Sequence, residues 1–245
     1  MIARHFGMRC ALLAIGLNFF AAGAMAQESA YADLDACTSG EQMRLIGKGA
    51  VMGLLGGLGG AFATGNKDKA AKAALVGAAV GGAAGWATAY YSAIDTCKKM
   101  NPSWIPESSL VRDSSKSYKQ VKQEHNYKPN DGILVKVQDI NMPTSVRPGQ
   151  AIAVDTVFDV MTPNDAEASV IIDRKLFVQT GGKEEQMVFP VGGSATRTVE
   201  AGRNHEKLTV PVPSSASSGA VYRVEMSASA GGKPPVTLSK SVTVI

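Results

Sequence analysis

The chain has 245 residues, 45% of them hydrophobic, and a formal charge of +4, a size suited to one or two domains. Arg4 and Arg9 supply two of those charges, and setting them aside leaves +2. Such a weak, dispersed charge does not build a nucleic-acid surface, so no nucleic-acid partner is expected.

Residues 1–26 read as a secretory signal. Arg4 and Arg9 form its positive end, Ala11–Ala24 its apolar core, and Ala24-Met25-Ala26 an A-x-A cleavage site before Gln27. Residues 27–48 form a polar lead-in. There Thr38 or Ser39 is placed to cap a short helix, with Glu41 or Gln42 three residues on.

Residues 49–94 contain two charge-free, Gly/Ala-rich segments, Gly49–Gly65 and Ala73–Ile94, parted by Asn66-Lys67-Asp68-Lys69. Small residues recur every fourth position: Gly49, Gly53, Gly57, Ala61 and Gly65, then Ala73, Gly77, Gly81, Gly85 and Ala89. On a helix this spacing gives a smooth stripe that lets two backbones approach closely. In water each such Gly costs about 1 kcal/mol against Ala, so the pattern suits a bilayer or a packed oligomer. The expectation is a helical hairpin, its arms about 25 and 33 Å long at the helical rise, inserted in a membrane or self-associating. Its hydropathy is marginal, and Trp86, Tyr90 and Tyr91 fall where an aromatic belt would lie.

With Cys10 in the signal, two cysteines remain, Cys37 and Cys97, one on each flank of the hairpin. In an oxidising compartment they are expected to pair, closing a loop whose length is worth about 4 kcal/mol in the chain-entropy model.

Residues 95–132 read as a connector. Pro102 and Pro106 bracket an extended, docked Ser103-Trp104-Ile105. Ser114–Asn126 suits a short helix with Tyr118, Val121 and His125 on one face, and Asp131-Gly132 is a turn. From 133 to 245 the period becomes two. Strands are expected at Ile133–Ile140, Gln150–Val160, Ser169–Gln179, Glu185–Phe189, Thr196–Glu200, Lys207–Val212, Val221–Ala228 and Val236–Val244. Short strands with regular turns indicate an antiparallel β-sandwich of immunoglobulin-like type, without an internal disulfide. The expected fold class is therefore α+β in separate regions, a Gly-rich helical hairpin followed by an all-β sandwich.

On Gly47–Gly65 and Leu75–Gly85 the chain resembles bacterial glycine-zipper cell-envelope proteins, the group that includes rickettsial 17-kDa-type surface antigens. That resemblance implies membrane association and no catalysis. Many of those proteins are lipoproteins, and the chain departs from them there: Cys10 follows Gly-Met-Arg and Cys37 follows Leu-Asp-Ala. The C-terminal part is similar to Ig-like or fibronectin-like modules of exported bacterial proteins, a likeness of fold that assigns no function.

No residue set argues for catalysis, a cofactor or a metal. Gly60–Lys67 has Asn66 where a phosphate loop needs Lys, and Gly57–Phe62 ends in Phe where a dinucleotide fingerprint needs Gly or Ala. His125 in the connector and His205 in an apparent turn, Gly202–Glu206, read as surface histidines. Asp155, Asp159 and Asp173 read as solvent-facing strand residues, and Ser214, Ser215, Ser217 and Ser218 as a turn. The sequence thus points to an exported envelope protein, anchored or oligomerised by its hairpin and offering the sandwich to an envelope protein or glycan. Two rivals are a secreted membrane-active, toxin-like protein and a periplasmic assembly or chaperone subunit that adds a strand at a sheet edge.

Overall fold

A computed structural model describes residues 31–44 and 85–245. Helix α1 covers residues 31–44, and α2 is Gly85–Met100. A 3-10 turn at Pro102–Trp104 precedes β1 (Ser109–Arg112) and the short α3 (Tyr118–Glu124). Nine strands follow: β2 (Leu134–Asn141), β3 (Ser145–Val146), β4 (Ala151–Met161), β5 (Ala168–Thr180), β6 (Lys183–Met187), β7 (Ser194–Val199), β8 (Gly202–Pro211), β9 (Val221–Ala230) and β10 (Val236–Val244).

The strands form two sheets. One is ordered β1-β8-β4-β2; the other runs β3-β10-β9-β5-β6, with β7 also pairing β5. Alternation along the strands explains the stacking. Ile152, Val154 and Phe158 of β4 face Val170, Leu176 and Val178 of β5 and Tyr222, Val224 and Met226 of β9 in one buried cluster. The β5–β6 hairpin turns on Gly181-Gly182, both with positive φ (57° and 82°), as a tight two-residue loop requires. Antiparallel pairing fails at one place, where β10 pairs β3 in parallel as the chain crosses between sheets.

The expected fold class is overturned. The described residues are mostly strand, and their three helices are short; α1 and α2 share the sandwich's core, where Tyr31, Leu34, Tyr90, Tyr91, Ile94 and Cys97 belong to the same buried cluster as the two sheets, and α3 packs in a separate small cluster. The physical reason lies in α2. Tyr90, Tyr91, Ile94 and Cys97 line one side of the helix, at most 1% exposed, so its apolar stripe covers protein and not lipid. Reading only the absence of charge ended the helix at Ile94. It continues through Asp95, Lys98 and Lys99, the last two set where the C-terminal dipole favours cations. Among the described residues no helix is long and apolar enough to cross a membrane.

Of the small-residue positions, Gly49, Gly53, Gly57, Gly77 and Gly81 lie outside the described residues, as do residues 1–26, and Gly85 opens α2. The lead-in is also corrected. Thr38 is not a cap but a buried mid-helix residue whose hydroxyl donates back to Leu34 O at 2.9 Å. Ser103-Trp104 is drawn into the 3-10 turn, capped by Asn101, and Ile105 beyond it is fully buried.

Candidate functional site

The expected pairing is present. Cys37 of α1 and Cys97 of α2 form a disulfide with Cα atoms 6.0 Å apart, so the two flanks of positions 45–84 are tied together at one place on the sandwich. Three contacts fix that place. Asp35 of α1 accepts from the Ser214 backbone N–H at 3.3 Å and from its hydroxyl, which takes one residue of the expected serine turn as a helix anchor. Tyr91 Oη donates to Pro211 O at 2.6 Å. Thr88 Oγ1 lies 3.6 Å from Met187 Sδ of β6.

Beneath the disulfide, Tyr90 and Tyr91 pack edge-on with centroids 5.2 Å apart, and Tyr91 meets Tyr222 at 6.5 Å. Burial pushes all three hydroxyls well above the ordinary tyrosine value, so they stay neutral at physiological pH. The aromatics assigned to a membrane belt are therefore the floor under the bridge, apart from Trp86, whose side chain lies outside the described residues.

A second cluster lies on the outer face of the four-stranded sheet. The capping box at Ser117 and Gln120 starts α3, and Val121 packs with Met161 and Tyr127 to hold the helix across β4. This covers Asp159, whose side chain has no exposed surface. Arg203 of β8 grips it with a two-pronged contact, Nε to Oδ1 and Nη2 to Oδ2, both 2.8 Å. His125 Nε2 meets Oδ2 at 2.8 Å; an ionised carboxylate only accepts, so the proton is on Nε2. Burial opposes the charge on Asp159, but Arg203 and His125 outweigh it and hold the carboxyl below its usual value.

One step along β8, His205 Nδ1 bonds Asp155 at 2.8 Å while Nε2 faces Asp113 at 3.6 Å. The residues read as a turn around His205 are strand. Asn204 looks like a turn residue but is buried, its amide donating to Glu200 O and Gly202 O at 3.0 Å each. Each histidine thus has carboxylate partners and neither stands free. Asp173 belongs to β5 in the other sheet, so the three aspartates do not converge. Among the described residues no group of three His, Cys, Asp or Glu could hold a metal ion.

Sequence reasoning passed over one pair altogether. Arg174 and Glu206 occupy inward phases of β5 and β8, where their neighbours are apolar. They bond across the sheets through Nε to Oε2 at 3.1 Å and through Nη2, with Nη1 on Gly192 O at 3.3 Å. The signal was available: each charged residue sits in phase with apolar residues of its own strand.

No family model matches the chain. No curated protein matches it either. Among solved structures, similarity extends to a family 123 glycoside hydrolase from Clostridium perfringens (9% identity, TM-score 0.30), matched over 46% of this chain and 27% of that one. A CARDB domain from Pyrococcus furiosus is 9% identical over 55% of this chain and 99% of its own, with a TM-score of 0.33. A conjugative transposon lipoprotein from Bacteroides eggerthii is 10% identical over 45% of this chain and 95% of its own, at 0.26. The chain thus spans only about a quarter of the glycoside hydrolase. At such TM-scores these likenesses carry no argument about activity, ligand or partner.

Proposed function

We propose that the chain is an exported cell-envelope interaction protein. Its disulfide-bonded helices hold both ends of the Gly/Ala-rich segment at one pole of the β-sandwich, which presents that segment to a membrane or to a second copy of the chain. The sandwich surface away from this pole is then free to meet an envelope protein or glycan. The reading assigns no reaction, cofactor or metal.

The Cys37–Cys97 bridge carries the reading. A structural disulfide persists in oxidising compartments and is rare in a reduced cytoplasm, which supports export. It also joins the two flanks of a segment that is rich in small residues, Gly49, Gly53, Gly57, Gly77 and Gly81 among them, a composition that lets backbones approach closely.

The test is alkaline carbonate extraction of envelopes from expressing cells, with a non-reducing gel alongside. A chain in which positions 49–84 are replaced by a short Gly-Ser linker is run in parallel. The expected result is a reduction-sensitive band that stays in the pellet, or sediments as an oligomer, only when the segment is present. Equal extraction and equal oligomeric size for the two chains would overturn the proposal.

A further inference from the structure

The side of α3 turned away from the sandwich borders a concavity of about 600 Å³, lined among others by Lys119, Lys122, Asn126, Tyr127, Lys128 and Pro163. The local sequence explains its shape. Val121 and Tyr127 are buried beneath it, so helical spacing turns Lys119 and Lys122 outward. Asn126 adopts a left-handed conformation (φ 49°) that ends the helix and carries the chain round to Tyr127 and Lys128.

The charges are unequal. Lys122 lies 3.1 Å from Asp165 and 4.5 Å over the Tyr118 ring. Neither Lys119 nor Lys128 has a carboxylate within ion-pairing distance among the described residues. Asp131 turns its carboxylate to the Lys128 backbone N–H at 2.8 Å. A helix C-terminus ordinarily repels anions, but here three of the carbonyls of the last turn accept hydrogen bonds from the chain that follows. Lys122 O accepts from Tyr127 N–H at 2.9 Å, Val121 O from His125 N–H at 3.3 Å, and Gln123 O from Asn126 N–H at 3.2 Å.

We propose that this concavity binds a phosphate-bearing ligand. Lys119 and Lys128 supply its countercharge, Asn126 an amide donor on the rim, and Tyr127 and Pro163 an apolar wall for the organic part. Compact ammonium groups without protein partners are suited to a multiply charged oxyanion, and the volume exceeds what inorganic phosphate alone would fill. The site uses none of the residues of the disulfide pole, so it stands or falls separately from the function proposed above.

The full, disulfide-bonded protein is titrated with sodium pyrophosphate at constant ionic strength and followed through its backbone amide NMR signals. Saturable shifts confined to residues 119–128 and 163–165 are expected, with a dissociation constant of about 1 mM or tighter, weakened about tenfold in Lys119→Gln/Lys128→Gln. Both residues are exposed, so an unchanged melting temperature certifies that the variant folds. Equal binding by the variant, or equal shifts with sodium chloride at the same ionic strength, would overturn the proposal.

Sedimentation with phosphatidylcholine vesicles, with and without phosphatidylglycerol, distinguishes the source. Lysine-dependent capture by the anionic vesicles assigns a lipid headgroup. Pyrophosphate binding without vesicle capture assigns a soluble organic phosphate. Either result upholds the shared chemistry.

Discussion

Asp159 and Glu225 are both carboxylates on outer faces of the sandwich, each held by an arginine and by a second base, yet their surroundings differ. Asp159 is sealed under α3 with no exposed side-chain surface. Glu225 lies on the outer face of the six-stranded sheet, 22% exposed, 2.9 Å from Lys175 and 3.2 Å from Arg223. There Arg223 also grips Glu184 at 2.6 Å and stacks 3.9 Å over Phe177. Coulomb attraction grows as water is excluded, and so does the penalty for leaving a charge alone. The two faces therefore have the same chemistry with different stakes: removing a base from the dry side strands a charge, whereas on the wet side water replaces it. The Arg174–Glu206 pair between the sheets is the extreme of the dry case, with side chains 1% and 2% exposed.

That extreme gives the largest expected effect. Arg174→Met leaves Glu206 unpaired inside the sandwich and should cost about 4 kcal/mol, measured by urea unfolding. Adding Glu206→Leu should recover most of that loss, because two apolar side chains strand no charge. If the double variant is as unstable as the single, the pair is held for its packing shape and the dry–wet contrast fails at its strongest point.

Next comes Arg203→Met, expected to cost about 2–3 kcal/mol because His125 still bonds Asp159. It should also change the acid limb of stability. Asp159 has its carboxyl lowered on folding, so its contribution is complete above the ordinary carboxylate value, about 4. It is lost as pH falls through the lower folded value. Melting temperature between pH 7 and pH 3 should therefore fall less steeply in the variant. An unchanged slope would place the acid sensitivity in the exposed carboxylates, Glu184 and Glu225 among them, which are lowered as well.

Most strands were legible because each has one buried face. Ile152, Val154, Thr156 and Phe158 alternate as β4 requires, and Tyr222, Val224 and Met226 as β9 does. What β4 could not reveal is that its other face is covered too: Asp159 and Met161 are buried, Met161 against Val121 of α3 and Asp159 against His125 just beyond it, contacts set by a helix far earlier in the chain. Strands β1 and β3 were missed because Ser-Leu-Val-Arg and Ser-Val carry no period of their own. Pairing of Ser109 to Lys207 and of Ser145 to Thr243 makes them strands. The disulfide was legible because it needed only cysteine count and topology. The docking of α2 was not: the same aromatic spacing suits lipid or a protein partner, and only the tertiary fold supplies the partner.

A smaller effect tests how α3 is held over Asp159. Tyr118 Oη accepts from Thr162 N–H at 2.8 Å and donates to Thr162 O at 2.9 Å. Tyr118→Phe removes both bonds and should cost about 1–2 kcal/mol. If the helix is the lid that keeps Asp159 dry, amide exchange at Val121 and His125 should quicken as well. Loss of stability without faster exchange there would show that Tyr118 supports the β4–β5 loop and not the helix.

The smallest effect is expected on the wet face. Arg223→Met removes both hydrogen bonds to Glu184 and one to Glu225, as many ionic contacts as Arg203 makes with Asp159 and Glu124 together. Counted by contacts it would be as damaging as Arg203→Met; judged by solvent exposure it should cost less than about 1 kcal/mol. Methionine keeps an apolar side chain over Phe177, and water takes the freed oxygens of Glu184. Raising salt to 1 M should shrink the difference between wild type and variant further, because the Debye length then falls to about 3 Å. A cost near 3 kcal/mol, unchanged by salt, would mean that the Phe177 stack already excludes water from this face, and burial would no longer separate the two networks.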